Sequence, residues 1–387
     1  MYSVGLDVGD NCSSLEILDE HGKQFKHLEV KGRWPVMLQQ LQKHTPGPFK
    51  ICFEASCGYG HLYDKLSKIA HSVQVAHPGQ LRLIFKSKRK HNRVDSQKLA
   101  KLLYLDEVPQ AWVPPVDVRS WRAMIEHRQR LMRQRVSVKN QIRSLLKGLG
   151  IQSPRSLWSS KGMTWLSELE LEEAEQMRRD IMIDQVKELT EKILQVQKYL
   201  KKIADGQPAV ALLMTIPGVG IRTAEAFVAY VCDVKRFERI KRVGAYFGLV
   251  PCQDASGNFN RLEHITKDGP STVRKMLTEA AWQGIRKSQT IRGFYERVRH
   301  DDPKRNKIAV IATAHYLVRV MTAMMRSGEC WREKDQPARE QSSVQEQPSA
   351  QEQKKMKGTN TMTGTKTMTA ADAAGGCVAP LRKTPDA

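Results

Sequence analysis

Acidic side chains are what this sequence has too few of. Its 387 residues set 63 Lys and Arg against 41 Asp and Glu, a formal charge of +22. That surplus is extreme for an enzyme of small metabolites. It favours a polyanionic partner, nucleic acid before membrane, because each Lys or Arg set on a phosphate releases counterions. Long apolar runs are missing too: nothing approaches the roughly 20 residues that span a bilayer, and the first residues read as a strand with no signal-peptide pattern. No membrane partner is expected. The seven cysteines, Cys12, Cys52, Cys57, Cys232, Cys252, Cys330 and Cys377, are odd in number and form no C-x-x-C pair. This argues against a disulfide framework or a zinc site and for a reducing cytoplasm. Beyond Trp331 large apolar residues almost vanish in favour of Gln, Ser, Thr, Lys and Ala, so residues 333–387 are expected to be a disordered tail.

What is present begins with Val4-Gly5-Leu6-Asp7-Val8-Gly9-Asp10. Apolar residues lead into an aspartate, a glycine follows, and the alternating Ser14-Leu15-Glu16-Ile17-Leu18 comes next. The pattern is that of a buried strand ending in a carboxylate, a turn and a second strand. A carboxylate at the inner edge of a sheet is costly unless paired or bound to metal. Asp7 is open to three readings: a metal-binding acid of an RNase H-like nuclease fold, a phosphate-loop acid of an actin or sugar-kinase fold, or an ordinary strand-end turn.

A turn at 20–23, a third strand around 25–30, a helix near 35–43, the strand 49–54, a helix around 61–70 and a strand at 73–76 follow. This β-β-β-α-β-α-β order is that of an RNase H-like domain, expected over residues 1–114. Its first and fourth strands are neighbours, which sets Glu54 beside Asp7; an ordinary strand end explains Glu54 equally well. Next, Lys86, Lys88, Arg89, Lys90, His91 and Arg93 crowd ahead of Asp95, which opens a helix through Leu99, Leu102 and Leu103. A first-turn acid after a solvated charge run is the plainer account. Together they also describe phosphate-attracting cations beside an acid able to complete a metal site, as two-metal phosphoryl transfer requires.

Pro114-Pro115 ends this unit. A helix from about 118 to 150 carries Arg119, Arg122, Arg128, Arg130, Arg133, Arg135, Lys139, Arg143 and Lys147 against one acid, Glu126. It is basic enough to bind nucleic acid, with Arg128 and Arg135 among the expected contacts. After Gly162 a second helix repeats Met182, Val186, Leu189, Ile193, Val196, Leu200 and Ile203 at alternating four- and three-residue steps, an a/d seam. Residues 115–205 are thus expected to form a coiled-coil linker, folded as an antiparallel hairpin or used to build a homo-oligomer.

Asp205-Gly206-Gln207-Pro208 opens a C-terminal unit over 206–332. There Ile216-Pro217-Gly218-Val219-Gly220 has the form of a helix-hairpin-helix turn, in which Gly218 and Gly220 let backbone amides approach a phosphate. A plain turn between packed helices fits as well. Ser256-Gly257 reads as a β-turn, and an apolar helix at 308–325 closes the unit with His315 as a core or groove residue.

Six of these pieces, in this order, resemble the DEDD transposases of the insertion-sequence one-ten and eleven-eleven family, which includes bridge-RNA-guided recombinases and Piv-type DNA invertases. They are Gly5-Leu6-Asp7-Val8-Gly9, Phe53-Glu54-Ala55-Ser56, Asn92-Arg93-Val94-Asp95-Ser96-Gln97-Lys98-Leu99-Ala100, Ile216-Pro217-Gly218-Val219-Gly220, Ala255-Ser256-Gly257 and Ile265-Thr266-Lys267-Asp268-Gly269. The likeness covers residues 1–330. It implies an N-terminal RuvC-like domain, a coiled-coil linker and a mainly helical C-terminal transposase domain with a serine nucleophile.

Asp7, Glu54 and Asp95 are then three of four Mg2+ (or Mn2+) ligands. Asn92 stands where the family has its remaining acid, three residues before Asp95. An asparagine oxygen ligates without adding charge, so the site is expected to be weaker, rearranged or helped by Asp10. Ser256 matches the serine that forms a covalent phosphoserine link to DNA. The implied partners are DNA, a structured guide RNA, and further copies of the chain in a dimer or tetramer, in a bacterial cytoplasm at the nucleoid. Lys86, Lys88, Arg89, Lys90, Arg93 and Lys267 are the expected nucleic-acid contacts. A RuvC-like structure-specific nuclease, needing the acids and not Ser256, stays open, as does a non-catalytic nucleic-acid-binding protein indifferent to Mg2+. The kinase-fold reading loses ground because no second phosphate loop or glycine-rich adenosine motif follows.

Overall fold

The computed structural model describes residues 1–84, 92–256 and 259–333. Lys86, Lys88, Arg89 and Lys90, the turn after Ser256 and the tail from 334 onward lie outside the described residues. The N-terminal part runs β1 (Tyr2–Asp7), β2 (Cys12–Leu18), β3 (Gln24–Lys31), α1 (Trp34–His44), β4 (Phe49–Glu54), α2 (Tyr59–Leu66), β5 (Ser72–Ala76), α3 (Pro78–Ile84) and α4 (Asn92–Tyr104). Its sheet has the order β3-β2-β1-β4-β5. β1, β2 and β3 pair antiparallel, while β1 pairs parallel with β4 and β4 with β5.

Strand alternation sorts the residues between two faces. Val4, Leu6, Leu15, Ile17, Ile51, Phe53 and Val75 share one core with Met37, Leu41, Leu62 and Leu66 of α1 and α2. The opposite face carries Gly5, Ser14 and Cys52 and is covered by α4. Gly5 is what lets α4 lie so close. A Cβ there would stand 2.0 Å from the Ser96 carbonyl oxygen and 2.4 Å from the Ala100 nitrogen. Glycine inside a strand marks this kind of backbone approach. A buried 2.9 Å hydrogen bond between the Ser14 and Ser96 hydroxyls pins the same contact.

The remainder is mainly helical: α5 (Val116–Gly148), α6 (Ser160–Glu168), α7 (Glu173–Asp205), α8 (Pro208–Met214), α9 (Ile221–Val231), α10 (Ile240–Tyr246), a ribbon of β6 (Pro251–Ser256) and β7 (Phe259–Ile265), then α11 (Ser271–Lys287), α12 (Gln289–Arg299) and α13 (Asn306–Ser327). The expected second helix of the linker is divided. Gly162 falls inside α6, whose N-cap Ser159 accepts the Gly162 N–H at 3.2 Å, and α7 starts only at Glu173.

α5 and α7 lie antiparallel. Val138, Ile142 and Leu145 of α5 meet Met182 and Val186 of α7, while Trp121 and Ile125 share a core with Ile193, Val196 and Leu200. Met182, Val186, Ile193, Val196 and Leu200 are all 9% exposed or less. Those five residues of the seam pack inside the α5–α7 hairpin, while Met177, Ile181, Leu194 and Tyr199 of α7 stay exposed. The base of the hairpin also joins the core of the following helices, including Phe227, Phe247, Leu277 and Leu317.

One expectation needs amending. The 25-residue segment Pro303–Ser327, which contains α13, is long and apolar enough to cross a membrane by length and composition, an 18-residue window of it having a mean hydropathy of 1.5. Half of that window is buried, with Ala309, Val310, Leu317, Val318 and Met321 inside the helical core, so the apolar run serves packing.

Candidate active site and nucleic-acid interface

Leu6 pairs with Phe53 across the parallel strands β1 and β4, so the next residues, Asp7 and Glu54, end neighbouring strands side by side. Alternation turns both away from the Leu6 and Phe53 core, toward the face covered by α4. Asp95 enters from the first turn of α4, one residue before Ser96. Ser96 bonds Ser14, and Ser14 is the cross-strand partner of Asp7. The fold therefore brings the backbones of Asp7, Glu54 and Asp95 to one edge and one face of the sheet. Gly5, Ser14 and Ser96 set that arrangement. Sequence reasoning passed over them, although a glycine inside a strand was a visible signal.

Asp7 is half-buried and Glu54 exposed. Lys98 Nζ stands 3.6 Å from Asp95 Oδ1. Asn92 is the first residue of α4, with its side chain outside the described residues. Among the described residues no three His, Cys, Asp or Glu side chains stand close enough to share a metal ion. The chemistry of the donor set, hard carboxylate oxygens, fits Mg2+ or Mn2+.

Ser256 ends β6 and pairs with Phe259 across a two-residue connection; its side chain lies outside the described residues. Residues 251–254 and 261–264 of the ribbon are exposed, with Leu262 at 66%. Its base is tightly built. The Thr266 N–H donates to the Val250 carbonyl at 2.9 Å, and Arg274 Nη1 donates to the carbonyls of Phe247 at 3.0 Å and Asp268 at 2.8 Å. Lys267 is exposed there with left-handed backbone at φ 57°.

Comparison with known proteins matches both halves of this layout. Residues 4–151 match the profile of the DEDD transposases of the IS110 type, described as "Transposase", and residues 210–296 match the profile described as "Transposase IS116/IS110/IS902 family". The chain belongs to the IS110/IS116/IS902 family of transposases. Among its relatives is the transposase for insertion sequence element IS1328 of Yersinia enterocolitica, 26% identical over 280 residues, covering 72% of this chain and 82% of the relative. The transposase for insertion sequence element IS1111A of Coxiella burnetii is 27% identical over 288 residues, covering 72% and 76%. A probable family 20 transposase of Pseudomonas aeruginosa is 23% identical over 350 residues, covering 85% and 98%.

Not every cation of this transposase faces outward, and Arg128 is a correction. It is 2% exposed, and its Nη1 lies 2.5 Å from Glu225 Oε1 of α9, itself buried, so it has no surface to offer a phosphate. Burial pushes the Glu225 carboxyl up, while Arg128 pulls it back. Arg135, half-buried, donates to the Thr190 hydroxyl at 3.2 Å. Arg222, in the first turn of α9, is held below its ordinary value first by partial desolvation of its guanidinium and then by the nearby charge of Arg128, while Glu225 raises it.

Gly220 caps α9 with open space where a side chain would be, whereas a Cβ on Gly218, at φ 97°, would stand 2.4 Å from the Gly284 nitrogen of α11. Helix packing thus accounts for Gly218, and the open approach is at Gly220. Arg93 is exposed on α4.

Arg119 and Arg122, on one helical turn, tie the sheet to the helical core. Arg119 pairs with Asp64 and donates to the Gly60 carbonyl at 3.1 Å. Arg122 donates to the carbonyls of Ala229 at 2.8 Å and Tyr230 at 2.9 Å. Trp112, from the segment leaving the sheet, lies between Arg122 at 5.6 Å and Arg236 at 4.3 Å.

Proposed function

We propose that this transposase cuts and rejoins insertion-sequence DNA through a phosphoserine intermediate formed at Ser256, opposite a metal site of Asp7, Glu54 and Asp95 with Asn92 assisting. The observation that carries this reading is the approach of α4 to β1 over Gly5, which draws Asp95 toward the strand ends of Asp7 and Glu54. The strand order and parallel β1–β4 pairing support an RNase H-like, RuvC-like assignment for the sheet, and the α5–α7 hairpin supports a coiled-coil linker.

A bound Mg2+ or Mn2+ supplies charge stabilisation at the scissile phosphate. Asp7, Glu54 and Asp95, with Asn92, would hold that ion, since carboxylates alone repel a phosphate. The Ser256 hydroxyl attacks phosphorus; its Oγ–P bond forms as the bond to the leaving sugar oxygen breaks, and that oxygen departs as a hydroxyl with the proton the serine gives up. Because the phosphodiester is conserved as a phosphoserine ester, an incoming DNA hydroxyl can reverse the step without ATP. Arg93, Arg135, Gly220 and Lys267, with the segment 85–91, hold the nucleic acid, including a structured guide RNA, and the working unit is a homo-oligomer.

The test is cleavage of insertion-sequence end DNA with Mg2+, followed by denaturing separation of protein–DNA adducts. Wild type should yield an adduct that maps to Ser256, Ser256→Ala should yield none, and Asp7→Ala should abolish cutting. Cleavage without an adduct, surviving Ser256→Ala, would establish the structure-specific nuclease instead.

A further inference from the structure

At the sheet edge that carries Asp7 and Glu54, but on the α1 and α2 side, lies a cleft of about 480 Å³ lined by Asp10, Asn11, Arg33, Trp34 and Pro35. It is formed by the β1–β2 connection just past Asp7 and by the β3–α1 connection running into Trp34 and Pro35 at the start of α1. Both are held in place. The Gly32 N–H donates to the Asn11 carbonyl at 2.9 Å, and a Cβ on Gly9 would stand 2.2 Å from the Cys12 carbonyl oxygen. Trp34 is braced from the β4–α2 side: His61 stacks on it with centroids 5.9 Å apart and planes 23° apart. Gly58, at φ 78°, lets the loop after Glu54 come against the indole, since a Cβ there would meet Trp34 Cη2 at 2.5 Å.

A rigid indole, an exposed guanidinium and two side chains with amide and carboxylate oxygens make a set that suits a nucleobase. The base stacks on the aromatic, the cation takes the adjoining phosphate, and Asn11 or Asp10 reads the base edge. A base inside a duplex hides both faces, so only an unpaired base can use such a cleft.

We propose that this cleft holds an unpaired base of the DNA strand whose backbone crosses the strand-end acids, adjacent to the scissile phosphate. The proposal rests on the assignment of the acids made above, which fixes which strand passes this edge.

The experiment uses the full chain in metal-free buffer, with single-stranded DNA of the insertion-sequence end carrying 2-aminopurine at successive positions. Wild type should quench the probe at one position beside the cleavage point. Trp34→Phe should keep the quench. Trp34→Ala should lose it and weaken binding roughly tenfold or more, the scale of one base–aromatic stack. If Trp34→Ala fails to fold, the exposed rim variants Arg33→Ala and Asn11→Ala decide, each expected to weaken binding severalfold. Quenching that survives in folded Trp34→Ala, rim variants that bind as wild type, or stronger quenching of the same sequence as RNA each overturn the proposal. Failure of the transposition mechanism reads out separately, as a missing Mg2+-dependent Ser256 adduct with the quench intact.

Discussion

Replacing Arg128 by methionine leaves Glu225 buried with no adequate counter-charge. Both side chains are 2% exposed and meet at 2.5 Å, so the single variant should lose about 3–5 kcal/mol. At an m-value of about 3 kcal/mol/M, that moves the urea midpoint down by roughly 1 M or more. The deficit should shrink as pH falls, because a protonated Glu225 tolerates burial and the folded variant then binds a proton that the unfolded chain releases.

The double variant Arg128→Met/Glu225→Leu should behave differently. Among the described residues Arg128 Nε and Nη2 have no hydrogen-bond partner, so the pair's desolvation is incompletely offset, and an apolar replacement should be neutral or more stable by about 1–4 kcal/mol. Urea unfolding followed by tryptophan fluorescence measures both. A double variant as unstable as the two singles summed would refute this account. DNA binding supplies the second check: the double variant should keep the wild-type salt slope, whereas loss of about one unit would mean that Arg128 does reach a phosphate.

Gly5→Ala should push α4 off β1, costing about 1–3 kcal/mol by overpacking and depressing Mg2+-dependent cleavage on the order of a hundredfold through displacement of Asp95; normal cleavage would show that the α4 contact does not position the site. Burial pushes the Cys52 thiol up to about 12, so at about pH 8 alkylation read by mass spectrometry should label the exposed Cys57, Cys252 and Cys330 and spare Cys52 until the chain unfolds. His315 is held below its ordinary value of 6.5 by burial and by Arg319. The unfolded chain therefore takes up a proton that the folded chain refuses, and stability present above that value is lost as pH falls. Urea midpoints between about pH 5 and 7 should show the decline in wild type and a flatter line in His315→Gln.

The sheet was legible because each strand carries its own alternation; β4 falls at Phe49–Glu54, as its pattern of Phe49, Ile51 and Phe53 dictates. The seam of α7 was legible from its four-and-three spacing. The break before α7 was not, because Leu169-Glu170-Leu171-Glu172 is short and polar at alternate positions, and a helical reading absorbs it. In the structure Leu169 and Glu172 have extended ψ values of 123° and 148°.

Asp95 could be picked out by composition, but the approach of its helix to β1 depends on Gly5 and on Ser14 meeting Ser96, a tertiary contact with no local signature. Arg128 failed for the same reason in reverse. An arginine among arginines reads as solvated, and only the packing of α5 on α9 reveals that it is enclosed with Glu225.

The tie formed by Arg119, Arg122, Arg236 and Trp112 bears on how the formal charge should be counted. These arginines spend their donors on Gly60, Asp64, Ala229, Tyr230 and Val231, and a donor committed to a carbonyl is not free to displace a counterion. The number of ions released on DNA binding should fall below what the +22 net charge suggests. Variants of these residues would act as misaligned joints between sheet and helices, reducing turnover on DNA that they still bind.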